Sequence, residues 1–561
     1  MSISRRSFLK GSAAAAALGA IGSPSVSGAV AVAASAASGV AAISAPGDVV
    51  GKVTVGYQGW FAALGDGAPI NGWWHWSQNW SQPPSPTNAG IRAWPDMHDY
   101  THTYPTNFAP LHSGATATLF SDYDQDTVNA QFAWMQQNAI DTVALQRFDP
   151  DSSEGPTRDA MATKVRTAAE TYGRKFYIMY DVSGWTDMQS QMKTDWTSKM
   201  SALTASPAYA KQNGKPVVCI WGFGFNDDSR PFSADVCADV VAWFKSQGVY
   251  LIGGVPTHWR TGESVRPNFL DVFHQFNMLS PWMIGAMSTI QQADAFAVDI
   301  NAADKADCDA HGIDYQPCVM PGDLSQRERV HGNYMWRQFY NLANLGVAGF
   351  YISMFDEYNE GHQIAKTAAT QADVPSNSSY LSLDEDGTPC SSDYYLRLTG
   401  DGGRMLKGTL ALTPVRPTAP TVGSNTGVAT VVSFTARVNN LIVTADSAGT
   451  APLIANRTAV GQWEQFDMVN AGNGDIALLA HANGKYVTAE NAGAQPLIAN
   501  RTAVGQWETF RIVIQPGTNG AVALLSRANG RYVTASNAGQ GPLIASATQV
   551  GGWEQFDITI S

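Results

Sequence analysis

A threefold internal repeat occupies the last 130 residues of this 561-residue chain. Asn456-Arg457-Thr458-Ala459-Val460-Gly461-Gln462-Trp463-Glu464-Gln465-Phe466 recurs from Asn500 to Phe510 with one change, Gln465 to Thr509. A looser third copy ends in Gly552-Trp553-Glu554-Gln555-Phe556. Each copy also carries an Asn-Gly turn or its relic (Asn439-Asn440, Asn483-Gly484, Asn529-Gly530) leading into Leu441–Thr444, Tyr486–Thr488 or Tyr532–Thr534. Asn-Gly between β-rich runs marks a hairpin, because both central positions of a type I′ turn need positive φ. Three units of about four short strands meet the needs of an all-β β-trefoil over 427–561. A linear solenoid would normally use helical or shorter units. The three Trp residues, each beside a Phe, are expected in the core rather than as ligand platforms. The Asn456/Arg457 and Asn500/Arg501 pairs can bind hydroxyl groups or merely close a loop.

The other end of the chain reads as an export signal. Arg5-Arg6 in Ser4–Lys10 precedes an Ala-rich, mildly apolar stretch and small-residue A-x-A sites near Ala29 to Ala36. That is a twin-arginine pattern, so residues 1–40 are set aside from the fold and a secreted protein is expected. The net charge is −12; loss of Arg5, Arg6 and Lys10, with no acid nearby, leaves about −15. An acidic chain repels phosphate backbones, so no nucleic-acid partner is expected. No later apolar run reaches the ~18–20 residues of a membrane span, so none is expected in the mature chain. The five cysteines show no zinc-site spacing; Cys308 and Cys318 are close enough to bridge a loop under oxidising conditions. No metal and no cofactor is expected.

Between these ends, residues 48–412 contain eight short apolar β-type runs. They are Val53–Tyr57, Thr142–Leu145, Phe176–Tyr180, Val217–Trp221, Val249–Ile252, Trp282–Ile284, Tyr315–Met320 and Gly349–Ile352. Several gaps hold helical periodicity, as in Ala234–Lys245 and Tyr334–Leu345. Eight β runs alternating with helices predict an α/β fold, a (β/α)8 TIM barrel. An open doubly wound sheet is the other possibility. Ala115–Phe120 is a possible extra strand. The Pro-rich stretch from Thr413 to Pro420, with Gly423-Ser424, reads as a linker over 413–426.

Barrel function sits just past the C-terminal strand ends. Those positions hold Tyr57 and Trp60, Arg147, Tyr180 and Asp181, Trp221, His258 and Trp259, and the run Asp356-Glu357-Tyr358-Asn359-Glu360. Aromatic faces with carboxylates suit sugars, which present flat C–H faces between hydroxyl rims. Glu357 and Glu360 are the catalytic candidates: glycosidic cleavage usually uses two carboxyl groups, one protonating the leaving oxygen and one acting as nucleophile or base. The others, with Asp356 and Tyr358, are substrate-binding candidates; His258 is as readily structural. On spacing alone, the acidic run also fits a solvated loop or a helix start.

Phe355-Asp356-Glu357-Tyr358-Asn359-Glu360-Gly361-His362-Gln363-Ile364 resembles the F-N-E-W-H-E-G-T-Q-I signature of glycoside hydrolase family 99, the endo-α-mannosidases and endo-α-mannanases. Val55–Phe61 resembles proteins grouped as family 71/99-like. The resemblance implies a retaining α-glycosidase, most readily on α-mannan. Glu357 would deprotonate the sugar 2-hydroxyl to give a 1,2-anhydro intermediate, and Glu360 would serve as general acid and then base. Asp356, Tyr358 and Asn359 depart from the signature, so an α-1,3-glucanase of the family 71 kind stays open, as does a non-catalytic glycan-binding protein. The repeats resemble fascin-like β-trefoil modules of bacterial carbohydrate enzymes, which implies polysaccharide binding. A glycan substrate and a monomeric chain are expected.

Overall fold

The computed structural model describes residues 44–421, 430–472, 475–515, 518 and 521–560. The export segment and the last part of the predicted linker, 422–426, lie outside them. The chain divides into two compact units at Thr409/Leu410.

The first unit is a closed parallel barrel. Its strands are β1 (Val53–Tyr57), β2 (Thr142–Arg147), β3 (Lys175–Asp181), β4 (Lys215–Trp221), β5 (Tyr250–Val255), β6 (Met278–Pro281), β7 (Asp314–Tyr315 and Cys318–Val319) and β8 (Phe350–Ile352). Every neighbouring pair is parallel and in chain order, and β8 pairs back onto β1 through Val53↔Phe350, Thr54↔Tyr351 and Val55↔Ile352. The two halves of β7 flank Gln316-Pro317; one pairs with β6 and the other with β8, which closes the ring. Proline has no N–H to give to a ladder, so the strand breaks there. β6 sits four residues before its predicted place: Pro281 ends this strand rather than preceding it, and Trp282 follows outside. The predicted extra strand is Thr118–Leu119, paired with Tyr104–Pro105 in a separate small sheet.

The helices follow local rules. Ala234–Ser246 starts at Ser233, whose hydroxyl accepts from Val236 N at 3.4 Å, with Asp235 in its first turn and Lys245 in its last. Its buried stripe is Cys237, Val240, Val241 and Phe244, the one-sided spacing of an amphipathic helix. Cys308 and Cys318, close enough in sequence to bridge, are not joined. All five cysteines are buried thiols, Cys308 on the helix Ala302–His311 and Cys318 in β7. No helix among the described residues is long and apolar enough to cross a membrane.

The second unit has the threefold β architecture expected of a β-trefoil, with twelve antiparallel strands among the described residues. Equivalent residues fill its core: Val443, Val487 and Val533; Leu453, Leu497 and Leu543; Phe466, Phe510 and Phe556. The turn asparagines perform one task three times. Asn439, Asn483 and Asn529 Nδ2 donate to the carbonyls of Ala455, Ala499 and Ala545, each at 2.8 Å. The next position is left-handed in every copy (Asn440 φ 56°, Gly484 66°, Gly530 67°), which is why glycine or asparagine stands there.

The Trp residues are not core. Trp463 is 38% and Trp553 46% exposed, and Trp507 is half-buried. The neighbouring glutamate explains this. Glu464, Glu508 and Glu554 turn inward and accept from Gly461, Gly505 and Gly551 N at 2.8, 2.8 and 2.7 Å, leaving the adjacent Trp outside. The arginines close their own loops: Arg457 pairs with Asp446 and Arg501 with Glu490, each at 2.8 Å, and Asn500 also donates to Glu490. In the third copy Ala547 and Ser536 stand at these two places. Acid and base are lost together, as expected of a structural pair.

Candidate active site

Strand alternation decides which of the predicted residues face the barrel interior. A Cβ on Gly56 would meet Met354 and the Tyr351 hydroxyl, so Thr54, Gly56 and Gln58 point inward while Val55 and Tyr57 point to the helices. The same parity turns Tyr177, Met179 and Asp181 inward on β3, and Cys219 and Trp221 inward on β4. Asp181 is buried and accepts from Ser183 N at 3.0 Å; Trp221 packs edge-on to Trp282 at 5.4 Å.

Three substrate-binding candidates lie on the other parity. Tyr57 donates to Gln131 of the helix Gln125–Gln137. Arg147 grips Asp195 at 2.6 and 2.5 Å and Asp159 at 2.6 Å; Tyr180 donates to Asp195 at 2.9 Å. All three hold strand to helix, not ligand. Arg147→Ala would strand the buried Asp195 carboxylate, so we expect a stability loss of about 3–5 kcal/mol in urea unfolding. Arg147→Met with Asp195→Leu should recover most of it. A stable Arg147→Ala protein that lost only activity would return Arg147 to the substrate site. Trp259 is also structural: its indole donates to Asp304 at 3.1 Å and it packs on Phe273. His258 is half-buried in the turn after β5, its carbonyl accepting from Gly262 N. Tyr358 is buried against Phe61, Trp76 and Phe120, and its hydroxyl donates to the Lys366 carbonyl at 2.8 Å.

The segment after β8 gathers the remaining groups. Its pairing with β1 places it beside the segment after β1. Asp356 is buried there and accepts from Gln58 N (2.9 and 3.1 Å) and Gly59 N (2.8 Å), which latches the two segments together. Burial pushes its carboxyl up to about 6, against the backbone N–H groups that favour the anion. Asp356 is thus a brace beside the pair. A tight turn follows, with Glu360 N and Gly361 N both donating to Glu357 O at 3.2 Å. Gly361 has φ 79°, and a Cβ there would lie 2.5 Å from Asp323 Oδ1, so both conformation and space require glycine. The Arg329 guanidinium holds the turn by donating to the carbonyls of Gly361 and Gln363 at 3.0 and 2.8 Å.

On this turn Glu357 Oε1 accepts from Gln58 Nε2 at 3.4 Å. Glu360 Oε2 lies 2.9 Å from His362 Nε2, and His362 Nδ1 lies 3.2 Å from the Ser353 carbonyl. That carbonyl can only accept, so Nδ1 carries a hydrogen. Two bare lone pairs do not sit 2.9 Å apart; one proton lies between Glu360 and His362. Glu357, Glu360 and His362 are buried and offer one ligand atom each within 4.8 Å of one another. This is an O, O, N donor set; among the described residues one other cluster of possible ligands occurs, the N, O, N set of His274, Asp307 and His311.

An aromatic wall adjoins the turn. Trp60 stacks on His75 (3.8 Å, 20°) and lies 6.1 Å from Phe148, with the Arg158 guanidinium 4.3 Å from the Phe148 centroid. Burial and Arg158 hold the His75 pKa well below its usual value, so the ring stays neutral. Trp60 Nε1 and both ring nitrogens of His75 are buried without a hydrogen-bond partner among the described residues. Gln58, His75 and His362 were not among the predicted site residues. Strand parity points to Gln58, and His362 follows directly on the E-x-x-E-G run.

Residues 2–22 match the family model of the TAT (twin-arginine translocation) pathway signal sequence. The chain is marked for twin-arginine export. No curated protein matches it. Among solved structures it is similar to the GH99 endo-α-mannosidase from Bacteroides thetaiotaomicron, with 14% identity over 64% of this chain and 98% of that one, at a TM-score of 0.48. The C-terminal part is similar to the designed threefold-symmetric protein ThreeFoil, with 21% identity over 23% of this chain and 98% of that one, at a TM-score of 0.22. It is also similar to a Polyporus squamosus lectin, with 15% identity over 24% and 49%, at a TM-score of 0.21.

Proposed function

We propose that the exported protein is a retaining α-glycoside hydrolase acting on α-mannan-type glycans, with Glu357 and Glu360 as the reacting pair. The observation that carries this reading is the turn itself: two buried carboxylates whose oxygens lie within 4.8 Å, in unlike settings. Retaining pairs stand about 5–5.5 Å apart, while inverting pairs need about 6.5–9.5 Å to admit a water between them. The short separation supports retention. The proton shared with His362 supports Glu360 as the donor to the leaving oxygen, and the same site can take a proton back from water in the second step. Glu357, contacted by the Gln58 amide, takes the 2-hydroxyl proton, and the oxygen so formed closes on the anomeric carbon as the 1,2-anhydro sugar. Trp60 and His75 offer a ring face and unpaired polar atoms for sugar hydroxyls. Incubation with a panel of α-mannans and α-1,3-glucans, with product analysis by NMR, tests this. Initial release of the α-anomer from mannan is expected. Cleavage of glucan alone would move the substrate to the family 71 kind, and no cleavage of either would leave a glycan-binding protein.

The trefoil is the polysaccharide-binding part of this reading, and the exposed Trp463 and Trp553 and the half-buried Trp507 are the contact points. An indole held at the surface in each repeat is suited to the C–H face of a sugar ring. Replacing all three by Ala should weaken pull-down on insoluble α-glycans about tenfold or more, since ~1.4 kcal/mol of lost stacking is already tenfold. Arg457→Ala with Arg501→Ala should leave binding nearly unchanged. The reverse pattern would move the sites to the arginine loops.

A further inference from the structure

We infer that His274, Asp307 and His311 form a binding site for a divalent transition-metal ion, at the end of the barrel opposite Glu357 and Glu360. His274 caps the short helix Leu270–Phe273, and Asp307 and His311 lie one turn apart on Ala302–His311. All three precede the strands they lead into, whereas the glutamates follow one. His274 Nε2 is 2.8 Å and His311 Nδ1 3.2 Å from Asp307 Oδ1, and one ligand atom from each lies within 4.8 Å of the others.

Two imidazoles and a carboxylate are the donors that borderline ions such as Zn2+ or Ni2+ take up, and a single residue pair spaced i, i+4 already presents two of them on one helix face. The side chains are 17%, 22% and 43% exposed, so water can fill the remaining positions. The rings now stack at 3.6 Å and 18°. A shared ion requires one to turn, and His311 is the exposed one. Its Nδ1 also lies 2.8 Å from the Asp307 carbonyl, and the imidazole N–H facing Asp307 is given up to solvent when the metal binds. The nearby cations are already engaged: Lys305 with Asp309 at 2.6 Å, and Lys245 with the Gln275 carbonyl at 2.7 Å.

The position suggests what the ion would do. β6 has four residues and β7 is broken, and only Met278↔Asp314 and Leu279↔Tyr315 join them. His274 stands four residues before β6 and His311 three before β7. A shared ion ties the starts of these two strands together where only two residue pairs join them, as few as between β7 and β8.

The inference does not rest on glycosidase activity. The test uses the full mature chain, dialysed free of metal and tag, titrated with ZnCl2 by calorimetry and followed by thermal unfolding. One zinc per chain is expected at this site, with proton release and an unfolding temperature that rises with zinc concentration. His274→Ala with His311→Ala should weaken that binding about tenfold or more, and so should the shape-conserving Asp307→Asn, each checked for fold by circular dichroism without metal. Glu357→Gln with Glu360→Gln should leave it unchanged. Zinc binding that survives in the histidine variant, disappears in the glutamate variant, or is absent from the wild type overturns the inference.

Discussion

Glu360→Gln is expected to lower turnover of unactivated α-mannosides by about 10²–10⁴-fold, the usual worth of a positioned proton donor. The amide keeps the shape of the carboxyl and can still donate to His362 Nε2, so the fold should be unaffected. Glycosides with a leaving group as acidic as dinitrophenol depart without protonation and should lose far less. Comparing kcat/KM for an oligosaccharide and an aryl glycoside, in wild type and variant, isolates the proton-donating role. Equal losses on both substrates would remove Glu360 from that role; wild-type rates would remove it from the mechanism.

Glu357→Gln should lower turnover on both kinds of substrate alike, because the 2-hydroxyl must be deprotonated whatever leaves. Binding of an intact oligosaccharide, measured by calorimetry, should change little, since the carboxylate's work lies in the transition state. A 2-deoxy substrate should be nearly inert with the wild type. Hydrolysis of that compound at an ordinary rate would exclude the anhydro route and leave Glu357 as a direct nucleophile. The two variants therefore differ in what an activated leaving group rescues, and that difference separates acid from base.

The barrel was legible because its strands are short apolar runs separated by helical periods, and periodicity survives without knowledge of contacts. β6 was misplaced because Met278-Leu279-Ser280-Pro281 looks weaker than Trp282-Met283-Ile284, and a proline can end a parallel strand through its carbonyl as well as precede one. The site was half legible. Reading strand ends collects residues of both parities, so Arg147 and Tyr180 entered beside Asp181, although successive side chains point to opposite faces. That Arg147 belongs to Asp195 depends on a helix 48 residues away. His362 was passed over because its role comes from the turn that folds it back onto Glu360. In the trefoil, aromatic residues beside Phe suggested core; only the inward Glu464, Glu508 and Glu554 reveal that Trp and Glu exchange the places their polarity suggests.

Each of those glutamates caps its own turn within its own repeat, so no platform needs the others to hold its shape. On the proposed reading, the module would present three separate weak contacts on one rigid body. A glycan long enough to reach two of them meets the second at an effective concentration that its span sets, and it departs only when every contact is broken together. A short fragment touches one and leaves at once. Retention by such a module grows by roughly 10²–10⁴ from single to multiple engagement with no new contact made. If the module binds glycan as proposed, it would discriminate by polymer length, holding uncut chains and releasing the pieces that cutting produces.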